Sequence, residues 1–215
     1  MPETSLPQAH RTVLRDVTWE AYEAILHEYR DGGPRICYDR GVLEIVSPLR
    51  KHDWQSRILG RLVEILTLEA GIPISSARST TIKSQLKKRG VEPDESYFVQ
   101  HEPDMRLKDE YDIAVDPPPD LAIEVDLTSS SIHKLGVYAA FGVPELWIHD
   151  GSVKILLLSQ GGEYVEAPRS LALPQLTPQI LDAFLVRRKI VGEAALVLEF
   201  RDWVHGGMGT VPFGV

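Results

Sequence analysis

Two carboxylates and a lysine lie close together in a pattern that can hold a doubly charged cation. The stretch Asp120-Leu-Ala-Ile-Glu-Val-Asp-Leu127 is short and rich in aliphatic and β-branched residues, the composition of a strand. Side chains alternate across a strand. Leu121, Ile123, Val125 and Leu127 then share an apolar face, and Asp120, Ala122, Glu124 and Asp126 share the other. Buried carboxylates are costly unless paired or bound to metal. Residues two apart on a strand are separated by about 6–7 Å, so Glu124 and Asp126 flank either one cation site or a cation and a water. Farther along, Lys134 and Tyr138 are spaced i, i+4 and share one face of a predicted helix.

The elements around these residues can be read from local signals. The proline run ending at Pro119 cannot continue a helix and leads into the strand in extended form. Thr128 to Ser131 supplies candidate N-caps for a helix over His133–Phe141, with Gly142 as its terminator and Pro144 as a stop. Glu145–His149 reads as a second strand, and Asp150-Gly151 as a tight turn into Val153–Leu158. Strand, helix and strand in that order make a right-handed parallel crossover. Ligands of such sheets collect at the carboxyl ends of the strands, where Glu124 and Asp126 lie. The fold class is therefore α/β.

Upstream, Thr18 caps a predicted helix from Trp19 to Tyr29, ended by Asp31-Gly-Gly33. Arg35–Tyr38 and Val42–Val46 form a hairpin, in which Glu44 has either a packing role or that of a supporting acid. A long helix spans His52–Ala70, with Trp54, Ile58, Leu62, Ile65 and Leu66 as its apolar stripe and Gly71 at its end. Ile74–Ser84 and Ser96–Gln100 read as strands, and His101–Asp116 as a polar connector without a clear element. Beyond Leu158 come a strand over Glu163–Glu166, a helix end over Leu181–Phe184 with Pro178 near its start, and a final helix from Ala194 to Trp203. Residues 1–12 are a loose tail or a short strand, and the glycine-rich tail from Gly206 is expected to be mobile. Residues 1–215 fit one domain.

Composition narrows the class. The chain of 215 residues is 43% hydrophobic and 25% charged, ordinary for a globular protein. No apolar run reaches the ~18 residues of a membrane span, and the N-terminus lacks a basic region followed by an apolar core. A single cysteine, Cys37, fits a reducing cytoplasm and reads as a small core hydrophobe. The formal net charge of −8 argues against a general nucleic-acid coat. A local basic patch from Arg78, Lys83, Lys87, Lys88 and Arg89 is the candidate nucleic-acid surface, the alternative being a solvated loop. There is no zinc-spaced cysteine pair, phosphate-binding glycine loop or internal repeat.

The segments PPDLAIEVDLTSSSIHKLGVYAAFGVPELWIHD, GVLEIVSPLRKHDWQSRILGRLVEIL, EPDESYFVQ and EFRDWV occur in that family's order once arranged along the chain, and together they resemble the Uma family of restriction endonucleases, grouped in the PD-(D/E)XK nuclease superfamily. The resemblance implies a restriction-endonuclease-like core, a mixed central sheet flanked by helices, with the N-terminal helix and hairpins added. It implies Mg²⁺- or Mn²⁺-dependent hydrolysis of DNA by a homodimer. Pro93-Asp94 matches the first acidic motif, making Asp94 and Glu124 the expected metal ligands. Asp120, four residues from Glu124 and so about 13 Å along the strand, is expected to bond locally instead. The usual lysine two residues after the acid is replaced by Asp126, and Lys134 takes its place by resemblance. Asp126 is then an added ligand or a partner of Lys134. His52 matches a family histidine, while Asp53, Gln55 and Glu64 remain open as polar contributors from the long helix. The alternative function is a catalytically silent DNA- or protein-binding module on the same fold.

Overall fold

The computed structural model describes residues 10–29, 33–47, 50–125, 132–209, 211 and 213, without the side chains of 10 and 50–53. The expected Thr128–Ser131 caps, Leu127 and Asp126 lie outside the described residues, as does the side chain of His52.

The elements of the N-terminal half are β1 (His10–Leu14), α1 (Trp19–Glu28), β2 (Arg35–Asp39), β3 (Val42–Ser47), α2 (Arg50–Ala70), β4 (Ser75–Ser76), β5 (Ile82–Ser84), β6 (Arg89–Val91) and β7 (Glu95–Phe98). They are followed by α3 (Glu102–Met105), β8 (Leu121–Val125), α4 (Lys134–Phe141), β9 (Glu145–Asp150), β10 (Ser152–Leu158), β11 (Tyr164–Ala167), α5 (Pro178–Val191) and α6 (Glu193–His205). A six-stranded sheet runs β11-β10-β9-β8-β7-β4. Its β8–β9 pair is parallel and its other pairs are antiparallel, so the central sheet is mixed. The hairpins of the N-terminal half join into a second, antiparallel sheet ordered β1-β3-β2-β6-β5.

Alternation along β8 divides the interior. Leu121 and Ile123 face the helical layer of α2, α5 and α6, where Leu59, Leu62, Phe184 and Phe200 are fully buried. Ala122 faces the other way, toward Val137 and Tyr138 of α4 and, beyond them, Ile82 and Val91 of the second sheet. Helix α4 is thus enclosed between the two sheets. Helix α1 covers the outer face of the second sheet, where Tyr22 and Tyr38 stack at 4.7 Å. Gly90 is required there, because a Cβ would meet the Tyr22 hydroxyl at 1.9 Å.

The helix ends follow the expected chemistry. Thr18 accepts from Ala21 N, Thr177 accepts from Ile180 N, and Gly142 closes α4 with φ 79°. No helix of the described residues is long and apolar enough to cross a membrane.

Four expectations are corrected. The strand expected over Ile74–Ser84 is two short strands in different sheets. Ala77 N and Arg78 N both donate to Ser96 O, and Arg78 adopts φ 49°, which carries the chain from one sheet to the other. The 101–116 connector contains the one-turn α3, and its Asp116 is buried, accepting from Asp112 N and pairing with Lys108. Helix α5 runs on to Val191, because Arg187 and Arg188 pair with Glu199 and Glu193 of α6 and keep its polar turns in place. Of the two alternatives for the N-terminal residues, the short strand holds over His10–Leu14, which form β1 against β3. Among the described residues past Gly206, two are anchored rather than loose: Trp203 Nε1 donates to Gly209 O at 2.9 Å, and Phe213 meets Phe184 edge-on at 5.1 Å.

Two measurements check this architecture. An edge-to-face aromatic contact contributes about 1 kcal/mol beyond burial, so Phe213→Ala lowers unfolding free energy in urea by at least that much. No change would mean the C-terminal residues do not dock. The second concerns Glu145, fully buried in β9, which accepts from Leu171 N, Ala172 N and Trp147 Nε1 and so ties the 170–173 turn to the sheet. Burial pushes its carboxyl above the ordinary 4.5, against the pull of those donors and Ser170. A raised folded-state value favours the protonated form, so this contribution is complete below 4.5 and fades as pH rises through the raised value. Glu145→Gln cannot titrate there. The melting-temperature advantage of the native chain over it therefore shrinks as pH rises from 4.5 through the raised value; a constant or widening gap would contradict this.

Candidate active site

The site forms where β8, the first turn of α4 and the β6–β7 connection meet. Glu124 sits on the α4 face of β8 and is 2% exposed. The i, i+4 spacing on α4 brings two side chains to its two oxygens. Lys134 Nζ donates to Oε2 at 3.0 Å, and Tyr138 Oη donates to Oε1 at 2.5 Å. The parallel β8–β9 pairing fixes where the crossover helix lies, so the placement of α4 beside Glu124 follows from the topology.

Asp94 comes from the connection between the two sheets. Its backbone N donates to Ile123 O, and its Oδ2 accepts from Val125 N at 2.9 Å. The carboxylate is thereby pinned at the end of β8, on either side of Glu124 in the backbone. Its Oδ1 accepts from Arg35 Nε at 3.3 Å. Two residues before it, Glu92 accepts from Ile36 N and Thr81 Oγ1, both at 2.9 Å.

The electrostatics follow from burial. Loss of water pushes the Glu124 carboxyl up, and Asp94 adds to that, while Lys134 and Tyr138 pull against it. Burial works against the Lys134 ammonium, but Glu124, Cys37 and Asp94 outweigh it and hold the group above its ordinary value. Cys37 is buried beneath the same charges and its thiol is pushed up to about 12, chiefly by burial, which leaves it an inert core residue.

The structure brings together Asp94, Glu124, Lys134 and Tyr138 from the residues singled out in the sequence. Asp120 bonds locally, as expected, accepting from Val99 N, His101 N and His101 Nδ1. Gln55 lies elsewhere. Its Nε2 meets the His149 ring at 3.2 Å, and it shares a cleft of about 520 Å³ with Val125, whose side chain leaves β8 on the face opposite Glu124. Glu64 accepts from Tyr97 Oη on that helical side as well. Glu44 is fully buried and pairs with Arg11 at 3.6 Å. The basic run is partly committed: Lys83 pairs with Glu23, Arg89 pairs with Asp39, and Lys87 caps Ala140 O, while Arg78 and Lys88 are exposed at turns. Arg35 was missed by the sequence reading. It lies 59 positions from Asp94 and no local spacing links the two.

No group of three or more His, Cys, Asp or Glu among the described residues is arranged to hold a metal ion. What the site offers is a pair of carboxylates, with the charge of Asp94 adding to the cost of ionising buried Glu124. Hard oxygen donors in that number suit Mg²⁺ or Mn²⁺, which takes its remaining positions from water and phosphate. Each Glu124 oxygen uses one lone pair on its protein partner and keeps another, so the residues present fit a divalent cation.

A crystal structure described as a putative nuclease belonging to DUF820, from Anabaena variabilis ATCC 29413, is 18% identical, with a TM-score of 0.47 over 70% of this chain and 90% of that one. No curated protein matches. The model of the family Uma2, described as "Putative restriction endonuclease", matches residues 19–185. That span is most of the sequence, and the chain belongs to the Uma2 family.

Proposed function

We propose that the protein is a divalent-metal-dependent endonuclease that hydrolyses DNA phosphodiester bonds, with Asp94 and Glu124 as metal ligands and Lys134 as the catalytic cation. The observation that carries this reading is the buried Glu124 carboxylate with Lys134 on one oxygen and Asp94 close by. A purely structural role explains it poorly, since apolar residues of similar volume serve a core as well as or better than a buried ion pair. Perturbed acids beside a cation are instead what hydrolytic sites use.

A bound Mg²⁺ or Mn²⁺ would supply Lewis acidity at the phosphate and a more acidic water. The residues of the chain do the remaining work. Val125 N fixes the Asp94 carboxylate, and Tyr138 fixes that of Glu124. Lys134 stays protonated under the influence of Glu124 and presents a fixed positive charge to the oxygens that gain charge as the phosphate is attacked. Asp126 is an additional ligand or partner in this reading, and His52 a contributor from the start of α2. Double-strand cleavage requires two such sites, which a homodimer provides. Of the basic run, exposed Arg78 and Lys88 remain the candidates for contacting the DNA backbone.

A second reading has its own observation. Every carboxylate oxygen of the pair already has a protein partner: Lys134 and Tyr138 on Glu124, Arg35 and Val125 N on Asp94. Such a satisfied cluster would also suit a catalytically silent binding module.

Two experiments separate the readings. Nicking of supercoiled plasmid in Mn²⁺ falls by at least about 10²-fold in Asp94→Asn, Glu124→Gln and Lys134→Met, with circular dichroism confirming that each variant folds. Cutting at the native rate in any folded variant would remove that residue from the site. Calorimetric titration of the native chain with Mn²⁺ gives saturable binding that is lost in Glu124→Gln; absence of binding to the native chain would favour the silent module.

A further inference from the structure

Each carboxylate of the proposed site has a resident basic partner, and the two partners are unlike. Lys134 is 12% exposed, lies on a helix enclosed between the sheets, and meets Glu124 at 3.0 Å. Arg35 opens β2 in the other sheet, is 31% exposed, and reaches Asp94 Oδ1 through Nε at 3.3 Å. That distance is long for a charge-assisted hydrogen bond. The lysine is fixed and the arginine is loosely held.

Arg35 also borders open space beyond Asp94. It lines a cleft of about 350 Å³ together with His27, Thr80, Thr81 and Lys83. Two acids also line it, and both are engaged: Thr81 and the backbone of Ile36 satisfy Glu92, and Lys83 pairs with Glu23 at 2.7 Å. With those acids engaged, the cleft presents hydroxyls and the Arg35 guanidinium, which connects it to Asp94.

We propose that Arg35 is the exchangeable cation of the site: it neutralises Asp94 until a divalent cation takes that carboxylate, and its guanidinium then holds a backbone phosphate of the DNA strand in the adjoining cleft. This rests on the nuclease reading of Asp94 and Glu124. The physical basis is competition. A guanidinium and a divalent cation cannot share Oδ1 without like-charge repulsion, and the more exposed partner is the one that can leave. A released guanidinium has a planar fork that matches phosphate oxygens. Metal binding and DNA binding are thereby coupled through one side chain, since whatever draws Arg35 to phosphate also frees Asp94.

The test uses the full chain with Arg35→Gln, Arg35→Lys and, as a distant control, Arg187→Gln. Mn²⁺ affinity is measured by calorimetry without DNA. Duplex DNA affinity is measured by fluorescence anisotropy in Ca²⁺ over a range of salt. Arg35→Gln binds Mn²⁺ about two- to fivefold tighter, the range of an exposed ion pair. It binds DNA about tenfold more weakly, with the salt slope reduced by about one. Arg35→Lys keeps the charge but not the fork, so Mn²⁺ affinity stays near native while DNA affinity falls. Arg187→Gln changes neither. Native-like or weaker Mn²⁺ binding by Arg35→Gln, or unchanged DNA affinity in both Arg35 variants, would overturn the exchange while leaving the nuclease reading intact. A native chain that does not bind Mn²⁺ would overturn both.

Discussion

The burial of Glu124 is the constraint on which the rest of the structure turns. A carboxylate 2% exposed in the middle of a sheet face is tolerated only with partners that replace its water. Lys134 and Tyr138 are those partners, and they can reach it only if α4 lies along β8 with its first turn at the end of the strand. That position is the one a right-handed crossover between the parallel β8 and β9 provides. Breaking such a pair from one side costs about 3–5 kcal/mol, so the chain is committed to keeping the acid and the ammonium together. Stability alone does not explain the choice of charged residues at this point.

The second sheet has a corresponding role. It encloses α4 from the far side through Cys37, Ile82 and Val91, and it delivers Arg35 to Asp94. Asp94 itself lies on the connection by which the chain passes from β6 in one sheet to β7 in the other. The candidate site is therefore a seam between two sheets. Its acids come from the central sheet and its margin, and its more loosely held cation comes from the second sheet. A formal charge of −8 is compatible with this arrangement, because Lys83 and Arg89 are taken up by Glu23 and Asp39, leaving positive charge near the acids to Lys134 and Arg35.

The two faces of the central sheet are chemically distinct. On the helical side, Gln55 and His149 share a polar cleft at the ends of β8 and β9, separated from Glu124 by the sheet itself. Interest in the start of α2 as a source of catalytic groups thus leads to a different face from that of the Glu124–Lys134 pair. Alternation along β8 is the reason: Val125 points into the helical cleft, while Glu124, one residue earlier, points toward α4.

What the sequence determined by itself is the half of the candidate site that depends on local rules. Strand alternation put Glu124 opposite the apolar face, helix periodicity put Lys134 and Tyr138 on one side of α4, and Gly142 and Pro144 marked where that helix had to stop. Chain chirality then required the three to converge. The split of 74–84 between two sheets, the extension of α5, the docking of Phe213 and the contact of Arg35 with Asp94 were decided by tertiary structure. Each depends on a partner in another element: Ser96 for the turn at Arg78, Glu193 and Glu199 of α6 for α5, Phe184 for Phe213, and Asp94 for Arg35. Periodicity and capping report the neighbours of a residue within a turn or a strand. They carry no information on which distant surface will exclude water from it, and at these positions that exclusion settles both conformation and charge.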